Sequence, residues 1–222
     1  MFGQGAGAVL KRVYDVLLHA YGPQHWWPAK TPTEVVIGAI LTQNTAWRNV
    51  ERAMENLRQA GCLTWESLGR MSEDRLAELI RPSGTFRVKA ARLAAFVRVL
   101  REGYGGSLDR LLAGPLDEVR RRLLTIHGIG PETADAILLY AGGRPAFVVD
   151  AYTRRVLRRH FVTAGRADYE TAQRLFQEAL PPDAAVYNEY HALLVAVGKR
   201  HCRALADCEG CPLAPMPHDP KL

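Results

Sequence analysis

Three places in this chain hold residues whose types and spacing could do chemistry. The first is a pair of glycines in the run Leu124-Thr125-Ile126-His127-Gly128-Ile129-Gly130-Pro131-Glu132-Thr133. Glycines so placed permit a tight turn between two helices. Pro131 suits the first turn of the second helix, where its missing N–H has no bond to lose. The free backbone N–H groups at such a helix start suit a phosphate, and the same residues would also serve an ordinary helix–helix turn. The second place is Asp150, in Val148-Val149-Asp150-Ala151-Tyr152-Thr153-Arg154-Arg155. Its local sequence fits a helix N-cap and fits a catalytic carboxylate equally well. The third is Cys202-x5-Cys208-x2-Cys211, with Pro212 next. Thiols crowded this closely in a chain without a secretion signal read first as a metal site, while Cys62 stands apart and reads as a buried thiol.

Charge points to an anionic partner. The chain has 222 residues, 48% of them hydrophobic, and a formal net charge of +6. Arg120, Arg121 and Arg122 precede the hairpin, and Arg154, Arg155, Arg158 and Arg159 follow Asp150. About half of these should lie on solvated helix faces; the others should bind backbone phosphate, with an affinity that falls with salt. No apolar run is long enough for a membrane span. The first residues show no charged segment ahead of an apolar core and no clear cleavage site, so a cytoplasmic protein is expected.

These groups must be positioned by helices. Helical periodicity marks residues 33–43, capped by Thr31 or Thr33, then 48–60, ended by Gly61. It continues over 73–81, ended by Pro82, and over 87–102, 117–125, 131–141, 150–160, 168–179 and 185–198. Only residues 145–150 resemble a strand, and their neighbours are helical. The fold class read from the pattern is all-α. The proline-rich tail should be irregular and either wrap or fray.

The order of motifs is similar to that of the endonuclease III branch of the helix-hairpin-helix DNA glycosylases. The hairpin is followed by the Val-Val-Asp segment, so the resemblance makes Asp150 the catalytic residue. Upstream, Ile40-Leu41-Thr42-Gln43-Asn44-Thr45 resembles the segment that puts a glutamine, here Gln43, into the gap left by an extruded base. The run from Ile80 to Ala90 resembles the family's glycine turn ahead of a helix with a lysine near its start. Asn188-Glu189-Tyr190-His191 precedes the cysteines in family order. The resemblance implies two helical lobes: a six-helix barrel over residues 32–145, and a second lobe from residues 1–31 and 146–222. It implies phosphate binding by Gly128, Ile129, Gly130 and Thr133, helped by Lys199 and Arg154. It also allows a monovalent cation on the hairpin carbonyls.

Two departures carry information. Members that also cut the DNA backbone have a lysine where this chain has Glu132, and a carboxylate cannot form a Schiff base with the sugar. The resemblance then implies a monofunctional enzyme, with Lys89 or Lys199 as the residues that could restore lyase chemistry. The family's cluster motif is C-x6-C-x2-C-x5-C, and here the first gap is shorter and Pro217 takes the fourth position. Cys202, Cys208, Cys211 and His218 would then hold a [4Fe–4S] cluster with an atypical fourth ligand, His218 or Asp219, or a zinc ion, or no metal.

Trp26-Trp27-Pro28 and Trp47 resemble the endonuclease III-like 3-methyladenine glycosylases. In that subgroup aromatic residues stack on the extruded base, which makes Trp27, Pro28 and Trp47, with Glu132, the expected base pocket. A cationic alkylpurine would gain cation–π attraction there. The expected partner is double-stranded DNA containing a damaged base, bound by a monomer. The competing expectations are a glycosylase for oxidised pyrimidines or mispaired bases with weak lyase action, and a DNA-damage-binding protein without catalysis.

Overall fold

The computed structural model describes residues 4–26, 29–163 and 167–222. They are helical, and among them the only β pairing is an isolated bridge between Cys202 and Ala206. The chain divides into two compact units, one of Trp27–Arg144 and one of Met1–Trp26 with Pro145–Leu222. No described helix is long and apolar enough to cross a membrane.

The unit Trp27–Arg144 is built around α2, Pro32–Leu41. Its sequence is apolar on every side, and Val36, Ile37, Ile40 and Leu41 are fully buried, which makes it the central rod. Thr31 caps it, accepting from the Glu34 N–H at 3.2 Å, and Pro32 opens the first turn. Around it run α3 (Trp47–Gln59), α4 (Trp65–Arg70), α5 (Glu73–Leu79), α6 (Phe86–Tyr104), α7 (Leu108–Leu111), α8 (Leu116–Leu124) and α9 (Pro131–Ala136). The last of these widens into a π-helical turn, Ile137–Ala141. Each of α3 and α8 is strongly amphipathic and turns residues such as Val50, Leu57, Val119 and Leu123 inward.

The other unit holds α1 (Gln4–Tyr21), α10 (Ala151–Arg159), α11 (Tyr169–Ala179) and α12 (Ala184–Arg200), with the cysteine loop after α12. The periodicity reading missed α1, because Gly5 and Gly7 weaken its start. Its packing face, Leu10, Val13 and Leu17, is nonetheless fully buried at helical spacing. The helices α10 and α12 meet at Gly198, where a Cβ would overlap the Tyr152 side chain. The strand-like run 145–150 carries no regular structure. Its backbone is served by side chains instead: Gln173 Nε2 donates to the Phe147 carbonyl at 2.8 Å, and the Val149 N–H donates to the Tyr169 hydroxyl at 3.4 Å. The tail wraps rather than frays, burying Leu213 and Met216.

Candidate functional site

Asp150 is the N-cap of α10. One carboxylate oxygen accepts from the Thr153 N–H at 2.8 Å, as a capping aspartate should. The other faces His191 of α12, with Oδ2 3.7 Å from Nε2. The capping and catalytic readings of this residue are therefore geometrically compatible, since one oxygen caps and the second is directed elsewhere. The Asp150 side chain is 16% exposed, and His191 is almost wholly buried. Burial pushes the His191 imidazole below its ordinary range, and the nearby Asp150 carboxylate opposes that shift. The Trp26 ring lies on the imidazole, with centroids 5.6 Å apart and planes at 35°. Trp26 is brought there by the preceding segment, where the Gln24 N–H donates to Glu189 Oε1 of α12 at 2.6 Å. Asp150, His191 and Trp26 thus form one cluster. Sequence reasoning named His191 only as part of a motif and ranked Trp26 below its neighbours. Trp27 and Pro28 lie outside the described residues.

The hairpin joins α8 to α9. Gly128 adopts φ +82°, a left-handed conformation that favours glycine. Ile126 and Ile129 on either side are buried anchors, so Ile129 offers backbone and not side chain to a partner. Gly130 caps α9 and Glu132 is exposed in its first turn. The Thr133 side chain faces inward. Its Oγ1 accepts from Gln43 Nε2 at 2.9 Å, and the same amide donates to the Gly128 carbonyl at 3.0 Å. Gln43 Oε1 accepts from Arg92 of α6, a residue the sequence reading did not single out. Below them Lys89, 1% exposed, donates to the carbonyls of Leu41 at 2.8 Å and Ser83 at 2.6 Å. Burial, and then the Arg92 charge, lowers its pKa to about 8. The Lys89 ammonium is therefore engaged inside the protein. Trp47 opens α3, donates to Glu51 at 3.0 Å and lines a groove of about 730 Å³ with Arg48 and Arg52, which is roomy enough for a purine.

The arginines divide into two kinds. Arg154, Arg155 and Arg158 line a groove of about 270 Å³ along α10, a surface suited to an anion, and Arg155 Nε also donates to the Cys202 carbonyl at 2.9 Å. Arg120 and Arg159 are consumed inside the protein. Arg120 makes a bidentate pair with the fully buried Asp135, at 2.8 and 3.0 Å, tying α8 to α9. Arg159 is 3% exposed and braces the cysteine loop, donating to the carbonyls of Arg203, Ala204 and Leu222 and to Cys202 Sγ at 3.1 Å. Lys199 is exposed in the last turn of α12. Cys202, Cys208 and Cys211 share one small cavity with His160, His201 and His218. His218 Nδ1 faces the Met216 carbonyl at 2.8 Å, which leaves Nε2 available as a ligand. Among the described residues, no three His, Cys, Asp or Glu side chains converge on a point that could hold a single metal ion.

A glycine hairpin between two short helices, a capping aspartate and a cysteine loop braced by arginine define an all-helical protein of the helix-hairpin-helix class. A family model described as HhH-GPD superfamily base excision DNA repair protein matches residues 37–182. The chain belongs to that superfamily. It is 45% identical over 207 residues to the Methanocaldococcus jannaschii protein MJ1434, whose name assigns it provisionally to the DNA repair glycosylases; the match covers 92% of this chain and 94% of the relative. It is 30% identical to endonuclease III of Thermotoga maritima, over 81% of this chain and 79% of the relative. Among solved structures, 3-methyladenine DNA glycosylase (MagIII) of H. pylori, bound to 1,N6-ethenoadenine, superposes with TM-score 0.76 at 28% identity. That match covers 88% of this chain and 97% of the other.

Proposed function

We propose that this protein is a monofunctional DNA glycosylase that removes alkylated purines, with Asp150 as its catalytic residue. The observation that carries the reading is the division of labour in the Asp150 carboxylate, one oxygen capping α10 and the other directed to His191 in a largely buried setting. Such a carboxylate steadies the positive charge that grows on the sugar as the glycosidic bond breaks. The base leaves with the bonding electrons, water adds to the sugar carbon, and Asp150 takes the proton from that water.

The hairpin N–H groups of Gly128 and Gly130, with Thr133, grip phosphate, while the Ile129 N–H already donates to the Ile126 carbonyl at 3.0 Å, and a monovalent cation can sit on the hairpin carbonyls. Lys199 and Arg154 extend the contact to double-stranded DNA. Trp47 is the described aromatic residue assigned to the base pocket, Gln43 is assigned to the gap beside the extruded nucleotide, and the expected roles of Trp27 and Pro28 fall on residues outside those described. The similarity to a 3-methyladenine glycosylase that binds an ethenoadenine supports the substrate class. The exposed Glu132, which offers no amine, and the internally bonded Lys89 support the absence of lyase action.

The donor set fits the cluster that the superfamily's endonuclease III branch implies. Three thiols and His218 line one cavity, and the buried Arg159 guanidinium donates to Cys202 Sγ there. A [4Fe–4S] cluster and a zinc ion are the two groups this donor set would hold. The cluster would pin the cysteine loop that follows the last turn of α12, where Lys199 is exposed. Visible absorption of the purified protein decides between them, since zinc gives none.

Asp150→Asn tests the enzyme reading cleanly, because asparagine caps a helix as well as aspartate. Base release from duplexes carrying 3-methyladenine or ethenoadenine should fall by about a hundredfold or more. Affinity for the damaged duplex should be kept. A variant that releases base at the wild-type rate, or a wild-type protein with no turnover to lose, overturns the proposal. Release of oxidised pyrimidines in preference to alkylpurines would move the protein to the endonuclease III type of substrate.

A further inference from the structure

Gln43 is bonded at every position of its amide. One Nε2 hydrogen goes to the Gly128 carbonyl and the other to Thr133 Oγ1, and Oε1 takes a charge-assisted bond from Arg92. All four residues lie in the unit Trp27–Arg144. Arg92 also lies flat against the hairpin. A Cβ on Gly128 would overlap its Cγ, Cδ and Nε, so side chain and loop are in direct contact. The Arg92 Nε is buried there without a hydrogen-bond partner, an arrangement that a purely solvated arginine would not adopt. One turn earlier on α6, Lys89 holds the carbonyl of Leu41. The helix α6 therefore fixes both the end of α2 and the glutamine that follows it.

We propose that Arg92 is a positioning residue and that Gln43 is its instrument: together they clamp the Gly128 turn in the shape that presents its N–H groups. On this view the resting role of Gln43 is to brace the hairpin, and insertion into a DNA gap would require it to release three bonds. The proposal rests on the hairpin being the phosphate grip, and two readouts keep the two ideas separable.

The first readout needs no DNA. In amide hydrogen exchange on the whole protein, Arg92→Gln and Gln43→Ala should each speed exchange at Ile129, whose N–H donates to the Ile126 carbonyl, by about tenfold, with helices α11 and α12 unchanged. The second uses a duplex with a tetrahydrofuran abasic-site analogue and an undamaged duplex of the same sequence. Each variant should weaken both duplexes by a similar factor of about ten, the double variant should be no worse than the poorer single, and Arg92→Lys should recover part of the loss. Unchanged exchange at the hairpin overturns the clamp. So does a Gln43→Ala that loses only its preference for the abasic duplex while Arg92→Gln binds as wild type. If wild-type protein binds neither duplex, the phosphate-grip reading fails, and the exchange result still decides the clamp.

Discussion

Replacing Arg120 with methionine probes the most heavily buried ion pair in the hairpin. Asp135 has no exposed surface, and Arg120 holds both its oxygens while itself only 21% exposed. Removing the guanidinium takes the bidentate arginine from a carboxylate in a low-dielectric interior, which costs about 3–5 kcal/mol when one partner of a buried pair is lost. Water reaching through the partly open arginine side puts the expectation at the lower end, about 3 kcal/mol. For a chain of this size each kcal/mol shifts Tm by about 2–4 °C, so the variant should melt roughly 6–12 °C lower. Calorimetry at neutral pH reads this directly. The companion Arg120→Met, Asp135→Leu should recover most of the loss, because an apolar pair of similar volume leaves no buried charge. The sequence reading placed Arg120 among arginines that either lie on a solvated helix face or bind phosphate. If phosphate binding were its work, Arg120→Met would keep its Tm and lose DNA affinity with a shallower salt dependence. A Tm within about 1 °C of wild type, or a double variant no better than the single, would refute the reasoning.

Lys89→Met should change how stability depends on pH. The unfolded chain keeps this proton to about 10.5 while the folded protein gives it up near pH 8, so the folded state is penalised below pH 8 and recovers as pH rises between those values. Denaturant titrations should show wild type gaining up to about 3 kcal/mol relative to the variant across that window, and parallel curves would reject the shift. At pH 7 the variant should still be less stable than wild type, since it leaves the Leu41 and Ser83 carbonyls without their donor. Gly128→Ala should cost about 2–4 kcal/mol, combining the left-handed φ with the overlap on Arg92. In an Arg92→Ala background the same change should cost only the backbone share, about 1–2 kcal/mol; equal costs in both backgrounds would mean that the overlap relaxes freely.

Much of this protein is legible one segment at a time. Amphipathic spacing located α3, α6 and α8, because each buries one face and its apolar residues recur with the helical turn. Thr31 and Asp150 announced helix starts because a short polar side chain serves the orphan N–H groups within its own local sequence. The hairpin glycines and Asp150 were visible for the same reason: their conformational or capping chemistry is local. The segments α1, α4 and α7 were not, since glycine or shortness hides their period and packing alone holds them. The strand-like character of residues 145–150 was misleading, because only the folded protein shows that Gln173 and Tyr169 satisfy that backbone.

Partnership across the chain was decided by tertiary structure. Nothing in the sequence near Arg120 or Arg159 separates them from Arg121 or Arg158, yet one finds Asp135 and the other the cysteine loop, because burial forces a charge to take a partner wherever the fold supplies one. Gln43 reads as a polar residue after a helix. That its amide meets Arg92 and Gly128, remote from it along the chain, follows only when α2, α6 and the hairpin pack together.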